Sequence, residues 1–232
     1  MRRRTLALAA VVAIGAAACG PSGPLDGVGE LSERWLAPAT TTTSTLAVAA
    51  TAPDDSPMVS AGEVIWFNDD LPDQATGDPE AVVAAVWARH GSSRFVQASR
   101  SEIAAALPTI MFPTRLPADV RWVTSQLVFD QTTGTLDVDT AAAFGFWLAE
   151  PYSTSQARSM VLRVGLAPAD VPPARSDITP ILVPEGITLI WTDSGLRYEL
   201  FCRSTISEDL CMEVASSAAP LSAVVSSTDG SA

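Results

Sequence analysis

The first nineteen residues constrain where this chain can fold. Three arginines, Arg2 to Arg4, precede an apolar run from Leu6 to Ile14, and small residues then lead to Cys19. A charged start, a short apolar core and small residues before a cleavage point are the layout of an export signal. The apolar run is well below the roughly 20 residues that a membrane span needs. We therefore expect the rest of the chain to fold outside the cytoplasm, where disulfides can form.

The end of this segment resembles a bacterial lipoprotein signal. Ala16-Ala17-Ala18-Cys19 is followed by the polar stretch Gly20 to Pro24. In that family the cysteine receives a diacylglyceryl group and becomes the mature N-terminus. The resemblance implies a signal peptide over residues 1–18, lipidation of Cys19, and attachment to the outer face of the cytoplasmic membrane in the cell envelope. An ordinary cleaved signal and an uncleaved anchor are the alternatives, and Arg3-Arg4 leaves the twin-arginine export route open.

The charge of the chain limits its partners. Removal of residues 1–18, with their three arginines, takes the formal net charge from −12 to −15. Such a body is repelled by nucleic acid phosphates and by anionic lipid headgroups. Nucleic acid is therefore excluded as a partner. We expect the protein to be held at the membrane by the lipid on Cys19, since two acyl chains give stable anchoring.

The three cysteines divide as one plus two. If Cys19 carries the lipid, Cys202 and Cys211 remain, and an even pair in an exported protein predicts a disulfide. Two separate buried thiols are the alternative. A zinc site needs three or four clustered ligands, and the single histidine, His90, is far away in the sequence. We therefore expect no metal and no cofactor.

Composition divides the chain into a linker, one domain and a tail. Thr40 to Thr45 and Pro53 to Pro57 belong to a Thr/Ala/Pro-rich stretch that is poor in core residues. We predict a lipid-anchored linker over residues 19–60, a single α+β domain over 61–220 and a flexible tail over 221–232.

Periodicity within the domain predicts both helices and strands. Asp78-Pro79-Glu80 begins a helix, and Ser99-x-x-Glu102 has the form of a capping box. Trp122 to Phe129 alternates with period two and predicts a hairpin with Leu136 to Asp139. A second hairpin follows over residues 186–201, and a last helix begins near Glu208. These patterns predict an α+β fold: a mostly antiparallel sheet of about five to six strands, with two N-terminal helices and one C-terminal helix packed on it.

The last hairpin and helix carry a second resemblance. Trp191 to Leu200, followed by a short helix from Ser207 to Ser217, is similar to the ending of extracytoplasmic α+β domains of unknown function. Such domains occur in lipoproteins of Gram-positive bacteria and in anti-sigma-factor-like proteins. The resemblance implies the fold rather than an activity.

The residue inventory argues against common catalytic chemistries. The chain has no lysine, which removes Schiff-base and Ser-Lys mechanisms. His90 fits the negative end of a helix, and no Gly-x-Ser-x-Gly elbow is present. We therefore predict no catalytic residues, although paired carboxylates in an envelope hydrolase remain an alternative. Four acids, Asp69, Asp70, Asp73 and Asp78, could bind calcium, but their spacing favours a solvated loop.

Two residue types are left as candidates for a binding site. Five tryptophans, Trp66, Trp87, Trp122, Trp147 and Trp191, fall in predicted elements, where they could pack the core or line a groove. Five arginines, Arg89, Arg94, Arg100, Arg115 and Arg121, could form an anionic-ligand patch or be scattered solvated charges. The ligand-binding residues stay unknown. The leading hypothesis is a non-catalytic envelope interaction module with a protein partner, and the alternative is a carrier or receptor for a small apolar or lipidic ligand.

Overall fold

The computed structural model describes residues 58–69, 78–90, 93–154 and 157–226. All of them belong to the second of two compact units, Leu46–Ala232. The predicted signal, Cys19, most of the linker and residues 227–232 lie outside the described residues. The strands are β1 (Met58–Ser60), β2 (Ile65–Trp66), β3 (Phe95–Gln97), β4 (Met111–Pro113), β5 (Arg115–Pro117), β6 (Trp122–Val128), β7 (Ala142–Trp147), β8 (Arg158–Leu166), β9 (Thr179–Val183), β10 (Gly186–Asp193), β11 (Leu196–Arg203) and β12 (Ala218–Pro220). The helices are α1 (Pro79–His90), α2 (Arg100–Ala106), α3 (Glu208–Ser216) and α4 (Leu221–Ser226).

One large sheet organises these elements. Its strand order is β2-β6-β7-β8-β11-β10-β9, and β3 also pairs with β6, which makes eight strands. All neighbours are antiparallel except β2 and β6. The prediction of a mixed fold built on a mostly antiparallel sheet is confirmed. The predicted size of five to six strands is wrong, because β3 has only three residues, too few for a periodic signal, and β9 lies in a proline-rich stretch that is typical of a surface connection.

The strands β10 and β11 have one buried side and one partly exposed side, whereas β6 and β7 are buried on both sides apart from Trp122 and Ala143. In β10 and β11 burial alternates residue by residue, with Leu189, Trp191, Tyr198 and Leu200 buried. This alternation follows from the pleat, which sends successive side chains to opposite faces of a sheet. We call the side that carries these four residues the packed face and the other side the open face.

The packed face is covered by all four helices and by two small ribbons, β1–β5 and β4–β12. Each of these elements contributes to a single apolar core with the inward side chains of the sheet. The core includes Val86 from α1, Ile103 from α2, Phe112 from β4, Leu116 from β5, Val214 from α3 and Leu221 from α4. Among the described residues, no helix is long and apolar enough to cross a membrane.

The number of helices corrects the prediction. We expected two helices before the long strands and one after them, whereas α3 is followed by a fourth helix, α4. This helix lies in residues predicted as a tail, and it is held there because Leu221 and Val224 are buried in the core. Its six residues are too few for a clear helical period.

One predicted hairpin exists and the other does not. β10 and β11 pair over their full length across Ser194-Gly195, as predicted. The hairpin expected between Trp122–Phe129 and residues 136–139 is reduced to one bridge between Phe129 and Leu136. Instead, β6 pairs with β7, whose small residues Ala143 and Gly145 lie opposite Gln126 and Thr124.

The predicted disulfide joins the end of the sheet to the covering helices. Cys202 in β11 is bonded to Cys211 in α3, with their Cα atoms 6.3 Å apart. Both residues are fully buried. Cys202 is on the packed face because it continues the inward alternation of β11, and α3 crosses that face.

A buried carboxylate fixes the start of α2. Glu102 is fully buried, and its Oε2 accepts hydrogen bonds of 2.9 Å from the Ser99 backbone N–H and from the Arg89 guanidinium. The Ser99 hydroxyl accepts in return from the Glu102 N–H, at 3.2 Å. The capping box predicted from Ser-x-x-Glu is therefore confirmed, and it also ties α1 to α2.

Candidate functional site

The open face carries a set of side chains that do not belong to the core. The strand registers bring together Trp122, Thr124 and Gln126 from β6, Ala143, Gly145 and Trp147 from β7, Arg158, Val161 and Arg163 from β8, Arg197, Glu199, Phe201 and Arg203 from β11, and Thr188, Ile190 and Thr192 from β10. Trp147 is only 4% exposed, yet it is not part of the apolar core on the other side of the sheet. In the described part of the chain, the helices pack into that core instead.

Four aromatic rings form a continuous group at one end of the open face. We define the aromatic cluster as Phe67, Trp122, Trp147 and Tyr152. The ring centroids are 6.2 Å apart for Phe67 and Trp122, 6.1 Å for Phe67 and Tyr152, and 5.4 Å for Trp147 and Tyr152. Phe67 is 36% exposed and the neighbouring Ile65 is 53% exposed. The cluster therefore combines well-packed rings with apolar surface that reaches solvent.

The ring of Trp147 lies across the neighbouring strand. Its Nε1 donates a hydrogen bond of 3.0 Å to the Thr124 hydroxyl. Gly145 makes room for this arrangement, because a Cβ atom at that position would lie 2.8 Å from both the Thr124 Oγ1 and the Trp147 Nε1. The small residue that the sequence places in β7 is thus explained by close packing of a tryptophan on the open face.

Tyr152 approaches the open face from the loop between β7 and β8. It has a φ of 64°, a left-handed backbone conformation that is uncommon for a bulky residue and costs about 1–3 kcal/mol. Its hydroxyl accepts a hydrogen bond of 3.4 Å from the Gln126 amide, and burial raises the pKa of Tyr152. Strained residues of this kind cluster at binding and catalytic sites.

Positive charge lies next to the aromatic cluster. We define the arginine row as Arg158 and Arg163 from β8 together with Arg197 and Arg203 from β11. The Arg158 guanidinium carbon is 5.4 Å from the centroid of the Trp147 ring. Burial lowers the pKa of Arg158, and repulsion from Arg203 and Arg163 lowers it further. Burial likewise lowers the pKa of Arg163.

Among the described residues on the strands of the open face, one carboxylate accompanies these four cations. Glu199 faces Arg163 across the β8–β11 pair, but its ion pair is with Arg197 on its own strand. Within the described part of the chain, neither Arg158 nor Arg163 forms an ion pair. The open face is therefore locally positive on a chain whose net charge is −12.

The arginines singled out from the sequence do not form a patch. Arg89 pairs with Glu102, Arg94 with Asp137, Arg100 with Asp69 and Arg115 with Glu213. These pairs lie on different elements, so the reading of separate charges fits them better than a shared anion site. The arginine row was missed, although β11 places Arg197 and Arg203 on the side opposite its buried apolar residues and β8 does the same with Arg163.

The tryptophans divide between the two faces. Trp66 and Trp191 belong to the core, and Trp87 packs against it. Of the two alternatives, core packing does not apply to Trp122 and Trp147, which lie on the open face. Strand membership predicted that these rings would be sheltered, but it could not tell which side of the sheet is covered.

The acidic loop is used for structure where it is described. Asp69 pairs with Arg100, and the Asp78 carboxylate accepts a 2.8 Å hydrogen bond from the Ala81 N–H at the start of α1. Asp70 and Asp73 lie outside the described residues. Over residues 58–69, 78–90, 93–154 and 157–226, no three His, Cys, Asp or Glu side chains are grouped so that they could hold a metal ion.

We found no match for this chain among known protein families, curated proteins or solved structures. The function must therefore be argued from the chemistry of the open face. Its described side chains are aromatic rings, guanidinium groups, a few hydroxyls and aliphatic groups, one amide and one carboxylate. These groups can stack on a ligand, donate hydrogen bonds to it and neutralise its negative charge, which are interactions used in binding.

Proposed function

We propose that this protein is a lipid-anchored envelope interaction module that acts by binding rather than by catalysis. Its docking surface is the open face of the sheet, and its occupant is a partner protein that presents an acidic segment. The observation that carries the proposal is the position of the aromatic cluster and the arginine row side by side, outside the core.

The composition of the open face supports a protein interface. Trp, Tyr and Arg are enriched at the few positions that contribute most of the binding free energy between proteins, whereas Lys, Glu and Asp are depleted. The open face carries the first three types, with the aromatic cluster at one end and the arginine row beside it, and a single described carboxylate, Glu199. Glycans and lipids can also use aromatic rings, but the arginine row adds a requirement for negative charge on the occupant.

The size of the surface fits a segment better than a large subunit. Five strands of the sheet, β6, β7, β8, β11 and β10, are adjacent in that order. With strands about 4.8 Å apart and about six residues of 3.3 Å each, they span roughly 20 Å by 20 Å, or on the order of 400 Å². This is about half of what one partner contributes to a standard interface.

Electrostatics argues against a second copy as the occupant. In a two-fold dimer the same patch meets itself, so the arginine row of one molecule would face the arginine row of the other. Like charges across an interface are unfavourable. An acidic segment of a different protein removes this repulsion.

The anchor follows from the signal at the N-terminus. We propose that Cys19 carries a diacylglyceryl group and holds the protein at the outer face of the cytoplasmic membrane. The variant Cys19→Ser should move the protein from the membrane fraction to the soluble fraction after cell fractionation. Retention of Cys19→Ser in membranes would rule out the lipid as the anchor.

The interaction is tested by native mass spectrometry of the protein purified from its own membranes. We expect a second protein chain at a defined stoichiometry. Ile190→Glu places a negative charge on the open face and should remove that chain from the spectrum. Leu182→Glu is the matched control, because it makes the same change at a side chain that is 77% exposed on edge strand β9.

The outcomes separate the possible functions. A partner that is lost with Ile190→Glu and kept with Leu182→Glu supports docking on the open face. A partner kept in both variants places the interface elsewhere and contradicts the proposal. A bound lipid with no protein partner would instead support the carrier function, and a bare protein would contradict both. Circular dichroism checks that both variants are folded.

A further inference from the structure

The proposed partner surface contains a more specific site. We infer that Arg158 and Arg163, with the ring of Trp147, form a recognition site for a carboxylate side chain of the partner. This inference rests on the proposed function and names the chemistry that the open face recognises.

The geometry of Arg158 suits a carboxylate. Its guanidinium is held over the Trp147 ring, 5.4 Å from the centroid. A guanidinium is planar and presents its N–H donors as a rigid fork, which can bind a carboxylate with two hydrogen bonds. Trp147 is itself fixed by its bond to Thr124, so the donor is preorganised.

Arg158 and Arg163 differ from two other sheltered arginines of this protein in their ion pairing. The side chain of Arg89 is 17% exposed and that of Arg100 is 11% exposed, and each is paired with a carboxylate, Glu102 and Asp69. Arg158 and Arg163 are also sheltered enough for burial to lower the pKa of each. Neither has an ion pair among the described residues. Glu199 attracts Arg163, but the ion pair of Glu199 is with Arg197. A sheltered charge without a paired counter-charge is unfavourable, and an incoming carboxylate would supply such a partner.

The surroundings favour a carboxylate on a peptide over an anionic membrane. A mature chain with a net charge of −15, formed by losing three arginines from −12, is repelled by a continuous anionic surface. A single acidic side chain avoids that repulsion, because it meets only the local positive field of the arginine row. Apolar neighbours of that side chain would contact Phe67 and Trp122, which reach solvent beside the site.

The test uses the mature protein in detergent and a defined peptide probe observed by saturation-transfer NMR. The probe is acetyl-SLEELS-amide, and its uncharged control is acetyl-SLQQLS-amide. We expect the glutamate peptide to bind with a Kd on the order of a millimolar and the glutamine peptide to bind at least tenfold more weakly. Raising the ionic strength from about 0.05 to 0.5 M should weaken binding of the glutamate peptide several-fold, since salt screens exposed charges.

Variants then assign the binding to the site. Arg158→Gln and Arg163→Gln should each lower the affinity for the glutamate peptide at least fivefold, because each removes charge-assisted hydrogen bonds. Arg115→Gln is the matched control. It makes the same change of charge on the packed side, at a side chain that is 56% exposed, and should change the affinity less than twofold. Two separate variants keep the test decisive if one of them fails to fold.

Several results would overturn the inference. Equal affinity for the two peptides, or unchanged affinity in both arginine variants, would exclude a carboxylate site at these residues. Displacement of the peptide by inorganic phosphate at similar millimolar concentrations would reduce the site to a general anion site. Arg158-dependent binding to vesicles of phosphatidylglycerol and phosphatidylcholine, with no peptide binding, would identify a headgroup as the ligand.

The same variants separate this inference from the proposed function. If native mass spectrometry finds a partner that is lost with Ile190→Glu but kept with both Arg158→Gln and Arg163→Gln, docking on the open face stands and the carboxylate site does not. If no variant of the open face changes the partner, the proposed function fails first.

Discussion

The indole nitrogen of Trp147 donates a hydrogen bond to the hydroxyl of Thr124 on the neighbouring strand, with 3.0 Å between Nε1 and Oγ1. The bond holds the ring over Gly145, between β6 and β7. Thr124 is 5% exposed although it lies on the open face. Because the same ring also faces Arg158, its orientation determines where the guanidinium is presented.

Gly145→Ala should disturb this arrangement. The new Cβ would be 2.8 Å from both the Trp147 Nε1 and the Thr124 Oγ1, so the ring must move. We expect the free energy of unfolding to fall by about 1–3 kcal/mol, the usual cost of overpacking, as measured by urea denaturation. The control is the same change in a Trp147→Phe background, where the indole nitrogen is gone. A penalty of equal size in both backgrounds would show that the ring is not the cause.

Glu102→Gln should be strongly destabilising. The buried Glu102 carboxylate accepts from Arg89 and from the Ser99 N–H, so removing its charge leaves sheltered donors with a weaker acceptor. We expect a loss of about 2–4 kcal/mol in the free energy of unfolding. Glu213→Gln is the matched control, because its pair with Arg115 is exposed on both sides. That change should cost less than about 1 kcal/mol, and similar losses in the two variants would contradict the buried pair as the cause.

Loss of the disulfide should lower the free energy of unfolding by an amount that can be calculated from the length of the loop it closes. For a loop of about ten residues the chain-entropy model gives roughly 2.7 kcal/mol. We therefore expect the double variant Cys202→Ala/Cys211→Ala to unfold at lower urea concentration. Wild-type protein in reductant should match the double variant within about 1 kcal/mol. Labelling of Cys202 and Cys211 by a thiol reagent in unfolded, non-reduced wild-type protein would count against the bond.

Stability should fall at alkaline pH because of Tyr198. Burial raises the pKa of Tyr198 to about 12, against an ordinary value of 10.0. The folded chain therefore keeps the phenol proton at pH values where the unfolded chain releases it. The contribution is complete below pH 10 and is lost as the pH rises from about 10 to about 12, by on the order of 2–3 kcal/mol in total.

The sequence makes this effect easy to isolate. The chain has no lysine and only two tyrosines, so few side chains titrate between pH 9 and 11.5. Tyr198→Phe should lose stability at pH 7, because the Met111 N–H loses its 2.9 Å acceptor, and should show a shallower decline above pH 10. Tyr152→Phe is the matched control, and its free energy of unfolding should still fall above pH 10 by the amount that Tyr198 contributes. Parallel declines in wild type and Tyr198→Phe, measured by urea denaturation, would assign the effect elsewhere.

Sequence signals predicted the parts of the fold whose partners are close in the chain. Ser194 and Gly195 have φ values of 52° and 79°, the conformation that a two-residue hairpin turn requires, and the turn was readable as Asp-Ser-Gly. The capping box of α2 was readable because Ser99 and Glu102 are three residues apart. The disulfide between Cys202 and Cys211 could be predicted because these are the two cysteines left once Cys19 is assigned to lipidation.

Long-range pairing could not be read in the same way. β8 pairs with β11 although β9 and β10 lie between them in the chain. Alternation in β8 indicates that Arg163 leaves the core side, and alternation in β11 indicates the same for Arg197 and Arg203. Arg158 breaks the alternation of β8, and it lies beside Trp147 because the β7–β8 register shifts between Phe146 and Trp147. Only the strand order makes these two polar sides adjacent, so the arginine row exists in the sheet and not in any one segment.

The ribbon β1–β5 has a mechanical consequence. Among the described residues, a pull applied at Met58 would first load the three register pairs of that ribbon, from Met58 and Pro117 to Ser60 and Arg115. The next described point of resistance is Trp66, whose ring lies against Phe112 at 4.9 Å in the core. Because β6, β7, β8 and β11 are paired with one another and not with β1, the strands of the open face would stay paired when β1 detaches.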